Sequence, residues 1–559
     1  MKTTFTLLIL FISLNFYAQK TVTYTVSKIN KNTVPMLKIA ASFPVTTTGN
    51  TTLLHYPNQH WGENNLHNCI TSLTSLTENT KIEFLENKDS IIIHHDKGLK
   101  SIELEYYIKQ DKGKELDHNN FFRPVIQSNY FHLFSHNLFM TPFSIIPGVT
   151  YDIQLIWKDF PKNYTIHNSF GSNQLKQKLT NIKLEDFKQA VFVGGDYIIS
   201  SFKIKENLVY FATRGEWIPF NQTEIINLFT KTVESQRNFW NDHSQKYYTV
   251  VLSPINNVKS VIFTGTGLTN SFDAILSNNE HTSKKYLTYL FNHELLHNWT
   301  GLKIKNDNEE QQYWFSEGFT EYYTYKLIAT NNINNNDEEY FLKKINAAIK
   351  ELSNSKLKNV QNKEITYRNY WSTPGYDRIP YLRGALFAFY LDQKIHKMSN
   401  KKYGLDTIMR TILKDATTKG QKLTHDYFIK TVNYYLQNDI TPVFNNFIEK
   451  GEMIPFETFF KEHGLQFTST STAMDIGFTY GNDQKITSIP QTSKAYIAGL
   501  REKDSILGAR VYKDTTKLST IEIARQGKKH NFSFHTSSKK IKLPQLKINA
   551  ENKENLLLD

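Results

Sequence analysis

The chain reads as a multidomain α+β protein, and three observations along its 559 residues predict this. The first third alternates apolar and polar residues in short runs, the pattern of strands with one buried face. The middle turns to longer stretches with apolar residues three and four apart, the pattern of helices packed on one another. The last part returns to short strands and turns. At roughly 150 residues per domain the length suits three or four domains. With 39% hydrophobic and 14% aromatic residues, each can bury a core.

Residues 1–18 read as a signal peptide. Lys2 gives a positive start, Phe5 to Phe16 is an apolar run, and Ala18 is a small residue before a cleavage point. The run is too short to span a bilayer and no second apolar stretch follows. The mature chain is therefore expected to start near Gln19, to be exported to a periplasm or beyond the cell, and to hold no integral membrane segment. Residues 19–187 are expected to form an N-terminal antiparallel β domain. Val22, Tyr24 and Val26 alternate, as do Ile102, Leu104, Tyr106 and Ile108, and again Tyr151, Ile153, Leu155 and Trp157. Residues 188–463 mix strands and helices. Strand-like Leu208–Ala212 and Tyr248–Leu252 lead into Val261–Asn270. Helical patterns then cover Lys284–Thr300, Ser316–Thr330, Asp337–Leu352, Tyr381–Lys397 and Leu405–Lys414. Gly301 is placed to stop the first of these, and Asn331–Asn336 reads as a loop. Shorter helices run on to about His463. Residues 464–542 are expected to be β-rich, and residues 543–559 a loose polar tail.

The formal charge is +13, but the lysines are scattered apart from Lys539, Lys540 and Lys542. No basic–aromatic motif accompanies them, so a nucleic-acid partner is not expected. Cys69 is the one cysteine, which excludes an intramolecular disulfide and a thiolate-rich metal site.

Chemistry concentrates between Phe291 and Tyr323. His293 and His297 lie four apart, so on a helix both imidazoles leave one face and can hold one metal ion. Glu294 beside them suits a general base that takes a proton from water. Glu317, twenty residues past His297, supplies a third ligand and leaves a fourth position open, the arrangement of a catalytic zinc site with one Zn²⁺ per chain. Chance alone produces His-Glu-x-x-His in a chain this long on the order of a few per cent of the time. The alternative is two surface histidines, but Leu287, Leu290, Phe291, Leu295 and Leu296 make the helix apolar and its histidines are expected to be buried. Glu321, one turn past Glu317, suits a carboxylate that accepts from a ligand imidazole, or else a solvated helix residue. Asn298-Trp-Thr300 matches a glycosylation sequon but falls in the metal helix. These residues predict a zinc-dependent peptidase acting on peptides or proteins.

Trp314-Phe-Ser-Glu-Gly-Phe-Thr-Glu-Tyr-Tyr323, with His293-Glu-Leu-Leu-His-Asn-Trp299, resembles the glycyl aminopeptidase family of gluzincin metallopeptidases. The resemblance implies an N-terminal β domain, a thermolysin-like catalytic domain and a C-terminal PDZ domain. Pro380-Tyr-Leu-Arg-Gly-Ala-Leu386 is similar to a segment of aminopeptidase N-like relatives, which implies that Tyr381 donates to the oxyanion; Tyr376, five residues earlier, is a second candidate. Asp475-Ile-Gly-Phe478 resembles a PDZ carboxylate-binding loop, so Ile476, Gly477 and Phe478 would line a groove for a peptide C-terminus. Ala498–Leu507 resembles a bacterial PDZ segment, with Lys503 where that pattern has glycine. One departure matters. Thr266-Gly-Leu-Thr-Asn270 stands where relatives carry a substrate-facing edge strand, which assigns Gly267, Thr269 and Asn270 to substrate. Thr269 replaces the glutamate that holds a substrate's amino group, so an endopeptidase is as open as an aminopeptidase. Two rivals stand beside these: a non-catalytic peptide-binding protein working through the PDZ-like region, and a zinc hydrolase acting on non-peptide substrates.

Overall fold

The computed structural model describes residues 21–85, 89–481 and 483–556. The expected signal peptide lies outside them. The chain divides into two compact units, one running to Asn298 and the other starting at Trp299.

The first unit opens with a six-stranded sheet: β1 (Thr21–Lys31), β2 (Val34–Pro44), β3 (Ile70–Ser75), β4 (Ser101–Lys109), β5 (Thr150–Lys158) and β6 (Lys176–Lys183), in the order β6-β5-β1-β2-β4-β3. The alternating residues of β1, β4 and β5 meet in one core with Leu37, Ile39 and Phe187. The antiparallel expectation needs one correction, because β1 and β5 run parallel, Thr21 opposite Asp152 and Ser27 opposite Lys158. Alternation reports which face is buried, not strand direction, and the long connection between these two strands leaves direction free. The boundary at 187 also moves. Val191–Gly195, buried throughout, pairs with Tyr130–Phe134 and Thr165–Asn168 in the β domain's second large sheet.

A mixed sheet follows: β7 (Ile198–Ile204), β8 (Asn207–Thr213), β9 (Tyr247–Ile255), β10 (Phe263–Leu268) and β11 (Ser271–Ser277), ordered β7-β8-β9-β11-β10. β8, β9 and β11 are parallel neighbours, and β10 is an antiparallel edge strand on β11. The unit's two long helices are α1 (Gln222–Trp240) and α2 (Lys284–Leu296). α1 was not expected. Its signal was a capping box, in which the Asn221 side chain accepts from the Glu224 N–H and Glu224 accepts from the Asn221 N–H, ahead of buried Ile225, Leu228, Phe229 and Val233. α2 ends at Leu296 rather than Thr300, because the N–H groups of His297 and Asn298 bond carbonyls three residues back, at 3.3 and 3.1 Å, and tighten the turn.

The second unit is helical at first: α3 (Glu309–Ser316), α4 (Gly318–Thr330), α5 (Glu338–Asn354), α6 (Tyr367–Ser372), α7 (Arg378–Met398) and α8 (Leu405–Lys419), then shorter helices to Glu462. The helix expected over Ser316–Thr330 starts two residues later, since Glu317 forms a junction after α3. α4 and α7 touch backbone to backbone. A Cβ on Gly384 would lie 2.0 Å from the Trp314 carbonyl oxygen and 2.7 Å from the Gly318 Cα. Eight residues further along each helix, buried Lys326 bonds Asp392 at 3.0 Å, and it also bonds Asp406 at 2.8 Å.

The C-terminal β region comprises β12 (Phe467–Asp475), β13 (Thr479–Tyr480), β14 (Ile486–Ser488), β15 (Ser505–Arg510), β16 (Leu518–Arg525), β17 (Lys528–His535) and β18 (Ser537–Leu546). β12 pairs with β18, β13 with β14, and β15-β16-β17 form a sheet around Phe478, Ile486, Leu500, Ile521 and Ile523. Residues 543–556 correct the expectation of a loose tail. Leu543 and Leu546 are buried in β18, and a helix over Ala550–Leu556 buries Leu556 and Asn552. Asn552 accepts from the Gln466 N–H and donates to the Lys547 carbonyl, so a polar residue here ties backbone rather than facing water. No helix among the described residues is long and apolar enough to cross a membrane.

Candidate metal centre

α2 is held from behind by its one buried asparagine. Asn292 donates to the Thr232 hydroxyl (3.1 Å) and the Thr288 carbonyl (2.8 Å), and the Gln236 amide donates to the Asn292 carbonyl (2.7 Å). The next residue, His293, is buried and stacks on Tyr289 at 5.7 Å, 28° between planes. His297 caps the helix with helical dihedrals (φ −62°, ψ −15°), so the four-residue spacing still sets both rings on one side. Their centroids are 5.0 Å apart and nearly perpendicular. Glu317 sits at the α3–α4 junction with φ −98° and ψ −46°. One ligand atom from each of His293, His297 and Glu317 lies within 4.8 Å of the other two, and no other such group of three is found among the described residues. Two imidazole nitrogens and one carboxylate oxygen fit zinc with an open position, and do not suit calcium or magnesium, which take oxygen donors.

The edge strand runs beside this helix. A Cβ on Gly267 would meet the Glu294 carbonyl oxygen at 3.7 Å and the His297 Cβ at 3.8 Å. Thr269 and Asn270 form the turn that joins β10 to β11. The Thr269 N–H donates to the Gln189 carbonyl (2.8 Å), the Asn270 carbonyl accepts from the Thr249 N–H (3.0 Å), and both side chains are partly exposed. The turn offers a hydroxyl and an amide, and no carboxylate.

Tyr381 lies in the first turn of α7, where the Gly384–Gly318 contact presses that helix onto the Glu317 junction. Its hydroxyl is hydrogen-bonded to Glu317 and to Tyr370. Burial, then the Glu317 charge and Tyr370, push its pKa well above the usual tyrosine range, so it stays protonated and able to donate. Tyr370 is the residue that sequence reasoning missed. It lies on α6, stacks on Tyr313 at 4.4 Å and 22°, and faces no motif that could have announced it. Tyr376 falls in the turn between α6 and α7, its N–H donating to the Thr373 carbonyl at 3.2 Å. Glu321 is buried one turn past Glu317 and accepts from the Tyr325 hydroxyl. Asn298 is buried and donates to the Tyr248 hydroxyl (3.2 Å) and the Leu295 carbonyl (2.9 Å), which removes the sequon from solvent. In the C-terminal β region, Phe478 is buried and Gly477 takes φ +82°, with its N–H donating to the Asp475 carboxylate at 2.9 Å.

Comparison with known proteins gives the class of the segment that carries these residues. Residues 255–447 match the Peptidase family M1 domain, a span that includes Gly267 to Asn270, His293, His297, Glu317, Tyr370 and Tyr381. The fold as a whole is similar to that of the aminopeptidase N family protein from Idiomarina loihiensis, at 15% identity over 97% of this chain and 100% of that one, with a TM-score of 0.72. The M1 zinc metallopeptidase from Deinococcus radiodurans aligns at 13% identity over 78% of this chain and 94% of that one, with a TM-score of 0.48. No curated protein matches the sequence.

Proposed function

We propose that the protein is an exported zinc-dependent peptidase whose metal is held by His293, His297 and Glu317, one ion per chain. The observation that carries this reading is the convergence of those three donors to within 4.8 Å of one another. A zinc ion bound there supplies Lewis acidity and acidifies water. Glu294, next to the first ligand, takes the proton from the attacking water and returns it to the leaving amine. Tyr381 donates to the oxygen on which charge develops. The substrate backbone lies along β10 near Gly267, where a glycine leaves room between strand and helix. Glu321 orients a ligand imidazole, with Tyr325 fixing its carboxylate. Thr269 brings no charge to a substrate ammonium, so the position of the cut is set elsewhere or is internal.

The test is cleavage mapping of a mixed peptide library by mass spectrometry. Zinc-loaded protein is expected to cut, a chelator to stop it, and Glu294→Gln to keep zinc while losing about 10²–10⁴-fold in kcat. Full turnover by Glu294→Gln would sink the mechanism. Loss of single N-terminal residues would identify an aminopeptidase, and internal cuts an endopeptidase.

A second reading, peptide binding by the C-terminal β region, is favoured by one observation there: an apolar cavity of about 440 Å³, within the roughly 300–1,000 Å³ of ligand pockets.

A further inference from the structure

A cluster of nitrogen bases lies in the first unit, next to the turn that joins β10 to β11. The Thr269 N–H donates to the Gln189 carbonyl (2.8 Å), and the Ser135 N–H donates to the carbonyl of Ala190, the next residue (2.8 Å). Residues 188–190 therefore link that turn to the segment holding His136. The His136 ring lies 4.3 Å from that of His60, centroid to centroid, at 58°. Trp61 meets it edge to face at 4.6 Å.

These side chains lack partners. His136 is 2% exposed, and neither of its ring nitrogens has a hydrogen bond among the described residues. Lys188, His60 and His55 are partly buried and likewise make no side-chain hydrogen bond or ion pair among the described residues. A buried donor left unmatched is costly, and native structures rarely keep one without a ligand or water to meet it. Burial and then the Lys188 charge push His55 down to about 4, and they lower His60 in the same order. Burial, then His60 and His55, carry His136 well below the usual histidine range. Each ring is thus neutral at pH 7 and keeps one N–H to donate. Asp89 is the acid that acts on His55, and its carboxylate already accepts from the Asn58 N–H (2.7 Å). An ammonium among neutral imidazoles repels a metal cation and attracts an anion. A peptide laid along β10 passes Gly267, two residues before Thr269, and peptides bring carboxylates on Asp and Glu.

We infer that Lys188, His60 and His136 form a carboxylate-binding subsite that selects substrates with an Asp or Glu side chain near the cut. The inference rests on the peptidase reading above and names the substrate class.

The experiment uses the zinc-loaded full chain. The probes are hexaalanine peptides carrying one Glu at each position in turn, and the matching set with Gln. For the best Glu peptide, kcat/KM is expected to exceed that of its Gln match about tenfold, the worth of a hydrogen bond to a charged group. Lys188→Met should bring that ratio close to one, and His60→Gln should lower it about threefold. Equal rates on both forms, or a Glu preference that survives both substitutions, would overturn the inference and leave the peptidase reading intact. If no peptide is cut, the peptidase reading fails, and calorimetric binding of the same peptides decides the subsite by itself. A Glu preference lost in Lys188→Met would then uphold it, and equal binding would overturn it. Inorganic phosphate that binds alone and is lost in Lys188→Met, with no Glu preference, would identify a free anion as the occupant and overturn the substrate role. More than one zinc per chain, falling to one in His60→Gln, would identify a second metal centre and overturn it too.

Discussion

α2 and the α4–α7 pair position their candidate site side chains by different physics. α2, carrying His293 and Glu294, is pinned to α1 by polar contacts around Asn292. α4 and α7, which set Glu317 against Tyr381, are fixed by two glycines in backbone contact and a buried Lys326–Asp392 pair further along. A hydrogen-bonded pin loses a bounded amount when one partner goes. A backbone contact has nowhere to yield, because no side chain can rotate out of the way.

The comparison is most sharply broken at Gly384. Gly384→Ala places a methyl 2.0 Å from the Trp314 carbonyl oxygen, so the helices must part. The expected cost is about 3 kcal/mol, the upper part of the usual overpacking range, with loss of turnover, read by thermal unfolding and peptide hydrolysis. Near-normal stability and activity would show that the contact is not a constraint. Tyr381→Phe comes next. It removes one donor without moving the helices, and kcat should fall about 10²–10³-fold with zinc content unchanged. Asn292→Ala tests the polar pin. Losing the bonds to Thr232 and Thr288 should cost about 1–3 kcal/mol of stability, with turnover falling far less than in Gly384→Ala. A loss of turnover as severe as that of the glycine variant would erase the distinction. Tyr370→Phe is the smallest change. It removes one hydrogen bond to Tyr381, worth about 1 kcal/mol, and should lower kcat about fivefold while KM and zinc content hold.

The zinc-ligand candidates were the most legible part of the chain, because four residues along a helix is a fixed geometric relation. α1 was legible in principle, through the capping box of Asn221 and Glu224. Tyr370 was not, since it lies eleven residues before Tyr381 on a separate helix and only their packing joins the hydroxyls. The ordered residues 543–556 escaped for a similar reason. Their few apolar side chains acquire a partner only when β18 finds β12, more than sixty residues earlier.

Local geometry in the sequence by itself determined which faces of β1, β4 and β5 are buried, that His293 and His297 share a side of α2, and that no second cysteine exists for a disulfide. These depend on the 2.0 and 3.6 residue periods and on composition, which need no knowledge of distant segments. The tertiary structure alone decided that β1 and β5 run parallel, that Gly384 meets Gly318, that Tyr370 reaches Tyr381, and that Asp475 occupies the Gly477 N–H. Those relations join residues whose separation along the chain carries no distance, and packing had to supply it.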